Sequence, residues 1–176
     1  EEAANQGINV HVYGSNWQYL LELGYGALHI HPFVTENEFS EVCSSTKITL
    51  GINAVNDIQM YASWRRIVNC MASGAFHLTH YVPGMETLFQ NKKHLVWFNS
   101  VSEATELIKY YLSHNEEREV IAEAGRKEVL AKHTWDARIA ELIMRMEKHK
   151  VRKRVFIVGA HQSGKSTLVK LLRLNG

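Results

Sequence analysis

The sequence predicts an open α/β fold, a parallel sheet with helices on both faces, followed by a separate strand–loop–helix at the end of the chain. Three observations carry that expectation. Short β-rich runs alternate with helical patterns from Asn9 to about His149, the arrangement of a parallel sheet built from crossover units. Three small residues, Gly14, Ser15 and Asn16, follow the first β-rich run. A glycine-containing loop closing on Gly164, Lys165 and Ser166 follows the last one.

In order, Ile8 to Val12 is a short strand ending at the Gly14-Ser15-Asn16 loop, and Trp17 to Leu23 is an apolar segment. Ala27 to Val34 alternates and meets Thr35, an N-cap with Glu38 three residues on, so a short helix is expected over Glu36 to Ser44. Lys47 to Ile52 is a buried strand and Asn53 to Asp57 a loop. Tyr61, Trp64, Ile67, Val68 and Met71 recur at helical spacing, which predicts a helix over Met60 to Ala72 closed by Gly74. Ala75 to Tyr81 and His94 to Phe98 are the next strands, separated by a turn at Pro83-Gly84. Three helices follow, with Ser102, Asn115 and Thr134 as their expected caps. The last runs into a basic tail, His149, Lys150, Arg152, Lys153 and Arg154, which marks a domain boundary: residues 1–150, then 151–176. Met71, Phe76, Leu78, Leu88 and Phe89 are expected core, and His133 and Trp135 are open between fastening the last helix and function.

With 176 residues, 45% of them hydrophobic, the chain can bury one core and a small appendage. A formal charge of +2 with 22% charged residues points to no nucleic acid partner. No apolar run approaches the ~20 residues that span a bilayer, and no signal peptide opens the sequence. Cys43 and Cys70 sit inside regular segments, so buried free thiols and a cytoplasmic setting are expected. The sequence opens at Glu1 without methionine and stops at Gly176 within an apparent helix, so it reads as a piece of something longer.

Open parallel sheets bind ligands at the carboxyl ends of their strands, where helix N-termini and backbone amides face an anion. Two places here suit a nucleotide diphosphate. One is the Gly14-Ser15-Asn16 loop; the other is the segment after the central strand, leading to the adjacent Arg65 and Arg66. Guanidinium groups grip phosphate bidentately. The plain alternative is an ordinary loop and a solvated helix face. His29 and His31 share one face of a strand at a spacing open to a metal, but no convincing further ligand follows and no metal is expected.

The stretch from Arg66 through Asn69, Met71, Ala72, Gly74, Ala75, Phe76 and Leu78 to Thr79 resembles the "R-x-F-E-x-M-A-x-G-A-F-x-L-T" segment of the CgeB-like (spore-maturation) glycosyltransferases. Pro83, Gly84, Glu86, Leu88 and Phe89 look like that family's "P-G-x-E-x-L-F". Tyr110-Tyr111-Leu112, the run Glu116 to Ala122, Ala124-Gly125-Arg126 and His133-Thr134-Trp135 match in the same order. The likeness is dense from Arg66 to about Leu142 and looser upstream to Val10. It implies the C-terminal, Rossmann-like half of a two-domain GT-B enzyme. That half holds a nucleotide-diphosphate sugar of UDP or GDP type, while an N-terminal domain outside this sequence holds the acceptor. It implies no metal cofactor, with Arg65 and Arg66 at the departing diphosphate and Arg66 at the family's arginine position. The family's ribose-binding glutamate is replaced by Asn69, and Tyr61 stands where related enzymes place another glutamate.

Gly159 to Thr167 fits G-x-x-x-x-G-K-[ST] after the apolar run Val155 to Val158 and before Leu168 to Leu172, the context of a P-loop. Gly159 and Gly164 would let backbone amides wrap the phosphates of ATP or GTP. Lys165 would reach the β- and γ-phosphates, and Ser166, beside Thr167, would hold Mg2+. A lone strand and helix cannot bury their apolar faces, so they pack on the first domain, self-associate with another copy, or order poorly. The runner-up function is accordingly a P-loop nucleotide-binding protein whose glycosyltransferase-like region is a scaffold or regulatory module.

Overall fold

The structure, a computed structural model, describes residues 7–15, 17–24, 28–52 and 60–148, with only the backbone given for residues 60–63. The chain divides into two compact units, Glu1–Ala137 and Arg138–Gly176. The boundary expected near residue 150 and the P-loop with Gly159, Gly164, Lys165, Ser166 and Thr167 lie outside the described residues.

In the first unit, β1 (Val10–Tyr13) pairs in parallel with β2 (Leu28–His31), with the short helix α1 (Tyr19–Glu22) between them. A second parallel sheet holds β3 (Thr49–Gly51), β4 (His77–His80) and β5 (Val96–Phe98) in sequential order. The fold is mixed α/β, with parallel strands flanked by helices as expected. Among the described residues the strands form these two ladders rather than one continuous sheet.

The helices are α2 (Glu36–Ser45), α3 (Met60–Ala72), α4 (Val101–Ser113), α5 (Asn115–Lys132) and α6 (Trp135–Lys148), the last running into the second unit. Side chains alternate across a strand, and that alternation separates two cores. Phe76, Leu78, Val96 and Phe98 face α4 and α5 and bury Ala104, Ile108, Tyr111 and Ile121 with them. From the other face, Leu95 packs with Ile67 and Met71 of α3, Met85, Phe89 and Val129 of α5. Each such large apolar side chain contributes about 1.5–3 kcal/mol relative to exposure. Leu88, expected in the core, is only partly buried against it. Trp135 is 66% exposed, whereas His133 is buried edge-on to Trp64 and Phe89, so of the two it is the histidine that fastens the chain.

Local signals set most helix ends. Thr35 and Glu38 form a reciprocal capping box at α2, and Thr134 Oγ1 accepts the Ala137 amide at 3.2 Å. Gly74, at φ 80°, closes α3. Two expected caps differ. Ser100, not Ser102, caps α4, because Ser100 is the extended residue and its hydroxyl accepts the Glu103 amide at 3.2 Å. Asn115 is already inside α5, and its side-chain oxygen instead accepts from Arg118 Nη1 at 2.8 Å. The buried Arg118 also donates to the Tyr111 carbonyl at 2.7 Å, so one guanidinium satisfies the end of α4 and the start of α5.

In the second unit, Glu141 bridges Arg138 at 3.3 Å and Arg145 at 2.6 Å along α6. No helix among the described residues is long and apolar enough to cross a membrane.

Candidate functional site

Because β3, β4 and β5 run parallel, their carboxyl ends share one edge, where a diphosphate would be expected. Arg66 reaches that edge from α3. Its Nη1 donates to the carbonyl oxygen of Ile52, the residue after β3, at 2.7 Å. The bond uses one of the five guanidinium N–H groups.

Beneath it lies a row of small polar groups that no sequence motif announced. Gly51, His77 and Thr79 lie on the face of the sheet that α3 covers. A Cβ on Gly51 would stand 2.5 Å from Thr79 Oγ1 and 3.0 Å from His77 Nε2, so the close approach of β3 to β4 requires glycine here. His77 is 1% exposed. Its Nδ1 lies 2.9 Å from Thr49 Oγ1, while Nε2 is buried and has no hydrogen-bond partner among the described residues. Burial, reinforced by the Arg66 charge, holds the His77 pKa down to about 3. The imidazole is therefore neutral at physiological pH, and Arg66 brings a positive charge to this edge.

The other expected site residues divide. Arg65 is adjacent to Arg66 in sequence, but a helix turns successive side chains about 100° apart, and the structure does not bring the two together. Arg65 pairs with Glu36 of α2, both on the solvent side. Asn69 is exposed one turn after Arg66, and its backbone carbonyl accepts the Ser73 hydroxyl at 2.8 Å. Tyr61 lies in the first turn of α3, its side chain outside the described residues. Gly14, at φ 138°, donates its N–H to the His31 carbonyl at 3.2 Å, and the Trp17 indole lies 3.1 Å from where a Cβ would stand. Ser15 is an exposed bend, and Asn16 lies outside the described residues.

At the end of β4, one carboxylate oxygen of Glu86 accepts both the Tyr81 hydroxyl at 3.0 Å and the Gly84 amide at 3.1 Å. Its own amide and these donors hold the Glu86 pKa below the usual carboxylate range. The glutamate of "P-G-x-E" thus ties down the Pro83-Gly84 turn. On the other sheet, His11 stacks on His29 and lies 2.8 Å from His31, Nδ1 to Nε2. Spacing alone had paired only His29 with His31. Among the described residues, no group of three His, Cys, Asp or Glu could hold a metal ion.

The model of a protein family described as glycosyl transferase-like matches residues 1–144. No curated protein matches the chain.

Proposed function

Because the chain belongs to the glycosyl transferase-like family, we propose that it carries the donor-binding domain of a GT-B enzyme of CgeB-like type, binding a UDP- or GDP-type sugar for transfer to an acceptor. The observation that carries this reading is Arg66, a guanidinium held by the Ile52 carbonyl at the carboxyl end of β3. As the bond from sugar to diphosphate breaks, negative charge grows on the leaving oxygens. A cation already fixed at that position stabilises it without reorganising and without a metal ion.

Asn69, three residues on from Arg66, would bond the ribose hydroxyls through its amide. It accepts through one oxygen and carries no charge, so it holds a diol more weakly than glutamate. Tyr61 would stand beside the donor, and Gly14-Ser15-Asn16 would present backbone amides to it. Arg65 joins the diphosphate only when it leaves Glu36. The acceptor would come from an N-terminal partner domain across a cleft.

The P-loop motif of Gly159 to Thr167 supports a second nucleotide site, for ATP or GTP with Mg2+. In that second reading the glycosyltransferase-like region is a scaffold or regulatory module.

Calorimetry with UDP, GDP, ADP and ATP, each with and without Mg2+, separates the two. Binding of UDP or GDP without metal supports the donor site. Binding of ATP alone, dependent on Mg2+ and lost in Lys165→Ala, favours the P-loop reading and counts against the donor site.

A further inference from the structure

Helices α2 and α3 meet across a small interface with an unusual centre. Its rim is polar: Glu36 pairs with Arg65, and the Ser40 and Ser73 hydroxyls lie 3.1 Å apart. At its centre the sulfurs of Cys43 and Cys70 lie 3.8 Å apart, both 3% exposed, with Ala75 and Phe39 around them. Both are free thiols. We propose that Cys43 and Cys70 are a redox-active pair that closes to a reversible disulfide across α2 and α3.

Closing the pair needs the sulfurs to approach by less than 2 Å, to the ~2.0 Å of an S–S bond. The movable partner is α2, a ten-residue helix in which Cys43 is the one buried residue. Such a helix opens locally more easily than the core does. Hydrogen peroxide, little larger than water, reaches Cys43 in that opening. The two sulfurs are also electronically unequal. Either sulfur can donate in this contact; with the Cys70 S–H as donor, the bond lowers the Cys43 pKa, and the same bond together with burial raises that of Cys70. The thiolate is the nucleophile in such chemistry, so Cys43 reacts first.

The steps balance. The Cys43 thiolate attacks one peroxide oxygen, the O–O bond breaks, and hydroxide leaves and takes a proton to become water. This leaves a sulfenic acid on Cys43. The Cys70 sulfur then attacks the Cys43 sulfur, the S–S bond forms and the S–O bond breaks. The departing hydroxide takes the Cys70 proton as a second water. Two thiols are oxidised to one disulfide, and one peroxide is reduced to two waters. The new bond would tie α2 to α3 one turn beyond Arg66. Its test reads sulfur chemistry alone, so it stands or falls separately from donor binding.

The test treats the full chain with hydrogen peroxide, then alkylates it under denaturing conditions and measures its intact mass. Expected is the joint loss of both alkylatable thiols and of the mass of two hydrogens. A Cys43–Cys70 cross-linked peptide should appear within one chain, and dithiothreitol should reverse all three changes. In Cys70→Ser, oxidation should stop at a Cys43 sulfenic acid that dimedone captures. Two thiols that stay alkylatable, oxygen adducts accumulating on one sulfur of the wild type, or cross-links only between chains would overturn the proposal. Should Cys70→Ser fail to fold, the wild-type masses decide the question by themselves.

Discussion

Arg66 and Ile52 are joined at the mouth of the β3–β4–β5 sheet, with Nη1 of the arginine 2.7 Å from the carbonyl oxygen of the isoleucine. The contact spans two elements: α3 supplies the cation, and the end of β3 supplies the acceptor that orients it. Arg66 is exposed, and an exposed arginine with no anchor would lose more side-chain entropy on binding phosphate. One already held loses less, so the Ile52 contact would favour a phosphate at the proposed donor site.

Asn69 gives a prediction that runs toward gain. If its side chain faces the ribose of the donor, Asn69→Glu should tighten UDP or GDP binding by about tenfold, as a charged acceptor replaces an amide. Titration calorimetry reads this directly. An affinity equal to wild type would take Asn69 out of the ribose site.

His77 makes stability depend on pH in a definite direction. Its folded pKa, about 3, lies below the 6.5 of an unperturbed imidazole, so the unfolded chain binds the extra proton first. The stability from neutral burial is fully present above pH 6.5 and is lost as pH falls toward 3, at up to about 1.4 kcal/mol per pH unit. Urea unfolding at pH values between 6.5 and 5, above the range in which carboxylates contribute, should give a shallower slope for His77→Asn than for wild type. Equal slopes would mean that His77 is protonated in the folded state.

Gly125 lies inside α5, where glycine to alanine ordinarily stabilises by about 1 kcal/mol. Here a Cβ would stand 2.1 Å from the His94 carbonyl oxygen and 3.0 Å from Met71 Cε. Gly125→Ala should therefore destabilise, by about 1–3 kcal/mol, with a lowered Tm in thermal denaturation. A raised Tm would show that α5 does not seat this closely.

What the sequence made legible was mostly local. The Thr35–Glu38 box, the Gly74 stop and the apolar spacing of Ile67 and Met71 depend on neighbours a few positions away, and each stands in the structure as read. Ser102 and Asn115 miss their helix starts because Ser, like Asn, marks a start only to within a residue or two: the Ser100 hydroxyl caps α4, and Asn115 already lies inside α5. The polar row of Thr49, Gly51, His77 and Thr79 was not legible at all. It exists because β3 and β4 pair across some 28 positions, and no local pattern encodes such a register. Arg66 was named both by its chemistry and by its motif; its anchor on Ile52, and the diversion of Arg65 to Glu36, needed the fold.

The proposal that Arg66 holds the diphosphate of a sugar nucleotide is tested by measuring UDP and GDP binding by calorimetry, without metal, in wild type and Arg66→Ala. Circular dichroism would verify that both are folded. Wild type should bind measurably, and the variant should lose at least about tenfold in affinity, the weight of one charge-assisted contact. Equal affinity in the two proteins would contradict the proposal.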